Sequence, residues 1–189
     1  MTEDGRTRLR KTIRHMVKIA ICAALISILA PLSFPIGPIP ITLATLGIYL
    51  TCLLLDPVEA VLAVSVYLAL GIVGVPVFSG FTGGFGRIIG VTGGFIIGYL
   101  PCASLASFLS KLGRDKMLSW LWDALALISG TVLLYAAGTV WFTFMTDNTF
   151  LSSLTLCVLP FLPGDGIKII FATALAAALR PALQKAGVS

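Results

Sequence analysis

The stretch VKIAICAALISILAPLSFPIGPIPITLATLGIYLTCLLL, residues 17–55, decides the fold class of this chain. It contains a single charged residue, Lys18, and two apolar runs separated by four prolines. A helix needs about 20 apolar residues to cross the hydrocarbon core of a bilayer, and proline favours stiff, extended backbone over helix. The stretch therefore predicts two membrane helices, at about 17–34 and 40–55, joined by an extended loop.

The rest of the chain continues this pattern. Only 11% of its 189 residues are charged and 58% are hydrophobic, whereas about a quarter of a soluble domain is charged. Further apolar runs lie at about 58–75, 88–110, 118–146 and 165–180. A shorter run at 149–162 predicts an interfacial or re-entrant segment. We therefore predict an all-α integral membrane protein with six transmembrane helices, in which 1–16 form a basic cytoplasmic arm and 17–182 form the membrane domain. The first run is interpreted as a retained helix, because no convincing small-residue cleavage site follows it.

The positive charges predict the orientation of these helices. Eleven of the thirteen lysines and arginines fall within residues 6–18, 111–116 and 180–185, which share one side of a six-helix topology. The positive-inside rule makes that side cytoplasmic, so both termini are expected there and the chain is expected to be a multi-pass protein of the cell membrane. The net charge of +5 is therefore a topology signal, and the partner of the basic arm is the lipid bilayer rather than nucleic acid. His15, within this arm, is expected to be solvated.

The two remaining basic residues predict a polar site on the opposite side. Arg87 and Lys168 fall at the outer ends of the fourth and sixth helices, and Asp165 lies three residues before Lys168 in FLPGDGIK, residues 161–168. A charge deep in a membrane costs about 2.5–3.5 kcal/mol on insertion scales, so such residues indicate ligand binding. The alternative is an ordinary helix start, with an acid at the positive end of the helix dipole and a lysine at i+3 that neutralises it.

Three outer loops share unusual composition. Residues 31–42 contain four prolines, 80–95 contain seven glycines, and 159–168 contain the Asp–Lys pair. Glycine lets the backbone approach a ligand closely and leaves its N–H groups accessible. The inner loops are short and charged. This contrast predicts that a solute is captured from the outer side.

Small residues recur at helical spacing in two places. Gly90, Gly94 and Gly98 follow a GxxxG pattern, which lets neighbouring helices approach closely. Ala20 and Ala24 repeat the small-xxx-small spacing on the first helix. We expect the glycines to serve internal packing. For the alanines, both internal packing and a docking face for another membrane protein remain possible.

Enzymatic motifs are absent from the sequence. It contains no HExxH, no GxSxG and no GxxxxGK[ST] phosphate loop. The four cysteines are scattered singly through apolar runs, without the spacing of a zinc site or a disulfide framework. We expect them to be buried, and we expect neither a metal nor another cofactor. A binding protein therefore fits the sequence better than an enzyme.

Three segments together resemble one family. PIGPIPITLATLGIYL (35–50), GVPVFSGFTGGFGRIIGVTGGFIIGYL (74–100) and PFLPGDGIK (160–168) look like the signature regions of the BioY family. BioY proteins are the biotin-specific S components of energy-coupling-factor (ECF) vitamin transporters. The resemblance covers about 20–180. It implies an S-component-like bundle and a high-affinity biotin-binding subunit, which captures biotin at the extracellular face. Import would be driven by a transmembrane coupling protein and two cytoplasmic ATPase subunits.

The resemblance also implies roles for particular residues. Asp165 would accept the ureido N–H groups of biotin, Lys168 would bind the ureido oxygen or the carboxylate, and Arg87 would pair with the carboxylate through its planar fork. The other pocket residues that it implies are Thr42, Gly83, Gly84, Thr92 and either Phe85 or Phe161. Ala20 and Ala24 would contact the coupling protein. Biotin is here the transported ligand and not a cofactor.

Two other functions remain open at this point. The chain is also consistent with an S component for another vitamin or micronutrient, which ligand competition would distinguish. A membrane enzyme with an outward-facing carboxylate is the third possibility. The sequence argues against an enzyme, because no second catalytic group accompanies Asp165.

Overall fold

The computed structural model describes residues 3–34, 39–114 and 116–185, with side chains over 12–34, 39–114 and 116–183. In chain order the elements are α1 (Glu3–Leu29), β1 (Ser33–Phe34), β2 (Ile41–Thr42), α2 (Ala44–Leu54), α3 (Pro57–Val73), a 3₁₀ turn (Phe85–Arg87), α4 (Gly93–Gly113), α5 (Ser119–Thr146), α6 (Phe150–Cys157) and α7 (Leu162–Lys185). The fold is therefore helical apart from one two-stranded ribbon. Each predicted apolar run overlaps one of these helices, and the short α6 lies in the run predicted to be interfacial or re-entrant.

The helices differ in length from the predicted runs. Within the described residues, four stretches are long and apolar enough to span a membrane: Thr12–Leu29, Gly93–Gly113, Ser119–Thr146 and Leu162–Leu183. Helices α2 and α3 are apolar but shorter. Because a helix rises 1.5 Å per residue, α2 is about 16 Å long, roughly half the thickness of a bilayer core. Helix α1 begins well before the predicted boundary and runs through residues 16 and 17 without a break.

Prolines in the segment before α2, and an Asp–Pro sequence shortly after it, explain why α2 is short. Before it, β1 and β2 pair antiparallel, with Ser33 opposite Thr42 and Phe34 opposite Ile41. The predicted extended loop is thus confirmed where it is described, and residues 35–38 lie outside the described part. After α2, Asp56 caps α3 in a capping box, and Pro57 at the first helical position is compatible with a helix start but not with continuation of α2.

Helices α4 and α5 pack closely along glycines. A Cβ atom added at Gly94 would overlap the Cβ of Trp141, and one at Gly98 would lie 3.0 Å from Cδ1 of Leu134. Gly90 precedes α4, and its carbonyl accepts a hydrogen bond from Trp141 Nε1 at 2.9 Å. The packing predicted for the glycine series is confirmed for Gly94 and Gly98, because a Cβ would overlap Trp141 at Gly94 and would lie unusually close to Leu134 at Gly98.

The junction between α2 and α3 lies at the same end of the bundle as the end of α4. This end is here called the basic end. Lys111 pairs with Asp56 at 3.0 Å, and this hydrogen bond lowers the pKa of the Asp56 carboxyl. His15 is hydrogen-bonded to Glu59, a buried residue in the first turn of α3. The His15 side chain is 54% exposed, as expected for a solvated residue, but the packing of α1 on α3 also brings its imidazole to a carboxylate.

Candidate functional site

A pocket opens at the other end of the bundle, here called the pocket end. It encloses about 720 Å³ of space, counted out to its open mouth. Its polar lining consists of Thr42, Thr45, Ser79, Thr82, Arg87, Thr92, Tyr99, Tyr135, Asp165 and Lys168. Apolar and aromatic side chains complete the wall, among them Tyr67, Phe78, Phe95 and Phe161. The pocket therefore combines an apolar body with a few convergent polar groups, as ligand sites typically do.

The base of the pocket holds a buried ion pair. Lys168 Nζ donates hydrogen bonds to Asp165 Oδ1 at 2.8 Å, to the Thr42 carbonyl at 2.7 Å and to Thr45 Oγ1 at 2.9 Å. The Thr45 hydroxyl in turn donates to Asp165 Oδ1 at 3.1 Å. Only 4% of Asp165 and 8% of Lys168 is exposed. A buried charge pair needs such additional hydrogen bonds to offset its desolvation.

The local fold explains how these groups meet. Asp165 lies in the first turn of α7, where the helix dipole favours a negative charge, and Lys168 follows one turn later on the same side. Thr42 ends β2, and Thr45 lies in the first turn of α2. The packing of α2 against α7 therefore brings two chain segments more than 100 residues apart to one ion pair.

A tyrosine from α5 completes the cluster. The Tyr135 hydroxyl donates to Asp165 Oδ2 at 2.6 Å. Each carboxylate oxygen accepts about two hydrogen bonds, so Oδ1 is fully used by Thr45 and Lys168, while Oδ2 has capacity for one more donor. All three protons of the Lys168 ammonium are already donated within the protein. Asp165 Oδ2 is thus the group in this cluster that is best prepared to accept a hydrogen bond from a ligand.

Both sequence interpretations of the Asp–Lys pair describe part of what the structure contains. Asp165 does stand at a helix start, and Lys168 does neutralise it. The pair is nevertheless buried in the wall of a pocket and bonded to α2 and α5, which an ordinary solvent-exposed helix start would not require. Sequence reasoning missed Thr45 and Tyr135. Thr45 lies three residues after Thr42, whereas Tyr135 is a single polar aromatic within a long apolar run and gave no usable signal.

The other predicted site residues are distributed unevenly. Arg87 ends the 3₁₀ turn, and its exposed side chain lines the pocket, as does Thr92. Gly83 and Gly84 are not among the described lining residues. A Cβ at Gly83 would overlap the Val75 carbonyl oxygen. Gly84 has φ +97° and donates to the Gly71 carbonyl at 2.7 Å. These glycines shape the loop that carries Arg87, and their contact with a ligand stays a prediction.

Two phenylalanines were considered as covers for an apolar ligand ring. Phe161 lines the pocket and stacks on Phe95, with ring centroids 6.3 Å apart and planes inclined by 21°. Phe85 is exposed and lies outside the described lining. The structure thus favours Phe161 as a wall for the apolar part of a ligand.

Ala20 and Ala24 are not among the described pocket-lining residues and lie on an exposed face of α1. Both are exposed, as are Val17, Ile21 and Ile28 on the same helix. They are therefore not buried packing residues of this chain, which was one of the two interpretations. Their role in docking stays a prediction.

The four cysteines are buried, as expected, and the described residues contain no group of three His, Cys, Asp or Glu side chains suited to a metal ion.

The fold and the site together define a class of protein: a helical membrane protein with a small-molecule pocket at one end. The sequence matches the model of the BioY family over residues 3–185. It is 36% identical over 167 residues to the biotin transporter BioY2 of Lactococcus lactis subsp. cremoris, covering 88% of this chain and 90% of that one. It is 32% identical to the biotin transporter BioY of Thermotoga maritima over 168 residues, covering 89% and 96%.

A solved structure is similar over nearly the whole chain. It is the crystal structure of the S-component for biotin from an ECF-type ABC transporter, with a TM-score of 0.84 and 31% identity, covering 96% of this chain and 95% of that one. The chain belongs to the BioY family. The matched proteins are named as transporters or as a transporter component, which agrees with the expectation of a binding subunit rather than an enzyme.

Proposed function

We propose that this chain is the biotin-binding S component of an ECF-type vitamin uptake transporter in the cell membrane. It captures biotin at the extracellular face with high affinity, and no cofactor takes part. Membership of the BioY family and similarity to a biotin S-component support this assignment. The observation that carries it is the carboxylate of Asp165, held at the base of an apolar pocket with one oxygen still able to accept a hydrogen bond.

The chemistry of the pocket matches that of biotin. The ureido ring has two N–H donors, and Asp165 Oδ2 is the acceptor that the cluster leaves available. The thioether ring is apolar, and Phe161 with its stacked partner Phe95 offers an apolar wall. The ligand's tail ends in a carboxylate, and Arg87 lies at the exposed part of the lining. This arrangement supports a pose with the ureido ring deep in the pocket and the carboxylate toward Arg87.

The same reasoning extends to membrane topology. The four long apolar helices, together with α2 and α3, make six crossings when each short helix spans with its adjoining loop. The positive-inside rule then places the basic end, and with it both termini, in the cytoplasm. The pocket end faces outward, so biotin enters from the extracellular side. The division into a basic arm (1–16) and a membrane domain (17–182) stays a functional one, since α1 is continuous across it.

An S component of this kind works with other subunits. We propose a transmembrane coupling protein and two cytoplasmic ATPase subunits as partners, as the ECF assignment implies. The exposed Ala20–Ala24 face of α1 is the proposed contact with the coupling protein, because small residues let a partner helix approach closely.

Titration of the purified protein in lipid nanodiscs with biotin tests the proposed function. Saturable binding at one site, with competition by unlabelled biotin and not by thiamine or riboflavin, is the expected result. Arg87→Met removes the proposed partner of the carboxylate and is expected to weaken biotin much more than biotin amide, which lacks that charge. Displacement of bound biotin by another vitamin at lower concentration would instead support the alternative S-component assignment.

A further inference from the structure

A second buried ion pair lies toward the basic end of the bundle. Arg180 on α7 binds Asp123 on α5 through both ends of its guanidinium, at 2.6 Å from Nη1 to Oδ2 and 3.0 Å from Nη2 to Oδ1. Ser110 on α4 donates to the same carboxylate at 2.6 Å. Asp123 is only 1% exposed. The sequence counted Arg180 as a charge of the tail, but its side chain is directed into the bundle.

The same guanidinium also holds the end of α2. Its Nη2 and Nε atoms donate to the Leu53 carbonyl at 2.9 and 3.3 Å. Leu53 lies in the last turn of α2, where carbonyl groups have no partner within the helix. Leu53 is fully buried, so a donor from another element is required. Arg180 supplies that donor and places a positive charge at the negative end of the helix dipole.

Helix α2 is therefore held at both ends by polar side chains of α7. At the pocket end, Asp165 and Lys168 bind Thr45 and the Thr42 carbonyl. At the other end, Arg180 binds Leu53. Because α2 is only about half as long as a bilayer core is thick, it cannot reach bulk water at both of its ends, and its terminal polar groups need such partners.

Between these two polar contacts, α7 packs through Ile169, Ala172, Thr173 and Ala176. The two fully buried residues among them are alanines, which offer only methyl groups, so the polar contacts at both ends add directional constraints that this packing lacks. A ligand that donates to Asp165 Oδ2 uses the remaining lone pair and joins the polar cluster at the pocket end. The Arg180 contact is distant from the pocket, so a ligand leaves it intact.

We propose that Arg180 is a positioning residue for ligand binding. By bonding the Leu53 carbonyl and Asp123, it sets the axial position of α2 against α7. This position in turn aligns Thr42 and Thr45 with Asp165 and Lys168. This inference rests on the proposed function, because its readout is biotin affinity. Arg180 itself does not touch the ligand.

The test separates positioning from simple stability. Arg180→Lys keeps the charge but loses the planar fork that bonds both oxygens of Asp123 while it reaches the Leu53 carbonyl. We expect biotin affinity to fall about 3- to 30-fold, the range for coupling through a packed helix pair. The double variant Asp123→Leu with Arg180→Leu replaces the ion pair by apolar packing, which commonly preserves stability. We expect its melting temperature to exceed that of either single leucine variant, while its biotin affinity stays low.

Ser107→Ala is the control. It removes the buried hydroxyl of Ser107, which donates to the Ala103 carbonyl within α4 at 2.6 Å, so it should lower the melting temperature without releasing a polar contact of α2 or α7. Its biotin affinity is expected to equal that of the unsubstituted protein. Recovery of affinity together with melting temperature in the double variant would overturn the inference, as would unchanged affinity in Arg180→Lys. Absence of biotin binding by the unsubstituted protein would overturn the proposed function and this inference with it.

Discussion

Replacement of Asp165 by asparagine tests whether the pocket recognises the ureido ring of biotin through a carboxylate oxygen. The substitution keeps the shape of the side chain but converts one carboxylate oxygen into an N–H₂ group. If the amide oxygen keeps the bonds from Lys168 and Thr45, the amide nitrogen occupies the place of Oδ2, beside Tyr135 and the ligand. A ureido N–H would then face a donor instead of an acceptor.

The magnitude follows from the loss of a hydrogen bond to a charged group, which contributes about 1.5–3 kcal/mol. Since about 1.4 kcal/mol corresponds to tenfold in affinity, biotin binding should weaken about 10- to 150-fold. The substitution would also leave the Lys168 charge buried without its partner, so the melting temperature is expected to fall. Affinity and stability therefore have to be separated by the design of the assay.

A cycle that combines the protein variant with a ligand variant provides this separation. Biotin and a biotin methylated on one ureido nitrogen are titrated by calorimetry against the unsubstituted protein and against Asp165→Asn. Because effects on stability are shared by both ligands, they cancel. We expect methylation to weaken binding to the unsubstituted protein by at least tenfold more than binding to the variant.

The matched control is Asp147→Asn. Asp147 is the exposed residue that caps α5, with φ +51°, a conformation that asparagine also adopts readily. The same chemical change at that site should leave both affinities unchanged. Equal losses on methylation for the unsubstituted protein and for Asp165→Asn would refute the proposed contact between Asp165 and the ureido ring.

Three further predictions follow from the same structure. Lys168→Ala should weaken biotin about 10- to 100-fold in the same titration, because it removes the charged donor that holds Asp165 and Thr45 together at the pocket; unchanged affinity would show that the ion pair serves the fold and not the ligand. An impermeant thiol reagent should label a cysteine at Thr82 on intact cells but one at Met117 only after permeabilisation, against a low background because the native cysteines are buried; the reverse pattern would invert the topology. Ala24→Trp should leave biotin affinity nearly intact but abolish ATP-driven uptake in cells that contain the coupling protein and ATPases, because a large side chain prevents close helix approach; an equal fall in both measurements would contradict docking at this face.

The sequence predicted the class of fold because the bilayer imposes strong and local rules. Apolar length identifies helices, proline interrupts them, and lysine and arginine mark one side, and each of these signals is contained in a short segment of chain. Residues 17–55 alone thus indicated two helices around an extended loop. The boundaries were less accurate, since the end of α2 depends on the capping of α3 by Asp56 and not on hydrophobicity.

Because these sequence signals are local, they also explain which pocket residues could be predicted from the sequence. Asp165, Lys168 and Arg87 stood out because charged residues are rare in outer segments of such a chain, and Asp165 and Lys168 are neighbours in sequence. Contacts between helices determine the roles of Thr45 and Tyr135 and the lone pairs that remain free on the Asp165 carboxylate. Sequence reasoning therefore did not find these features.

Only the tertiary structure decided how the polar groups are partnered. Arg180 had the sequence signature of a tail charge, yet it is paired with Asp123 and holds the end of α2. In a low-dielectric interior an unpaired polar group costs several kcal/mol, so packing has to supply each one with a partner, and that partner can come from any distance along the chain. Local sequence therefore predicted which segments are apolar enough to be embedded, while the three-dimensional packing determined which charges line the pocket and which became internal supports.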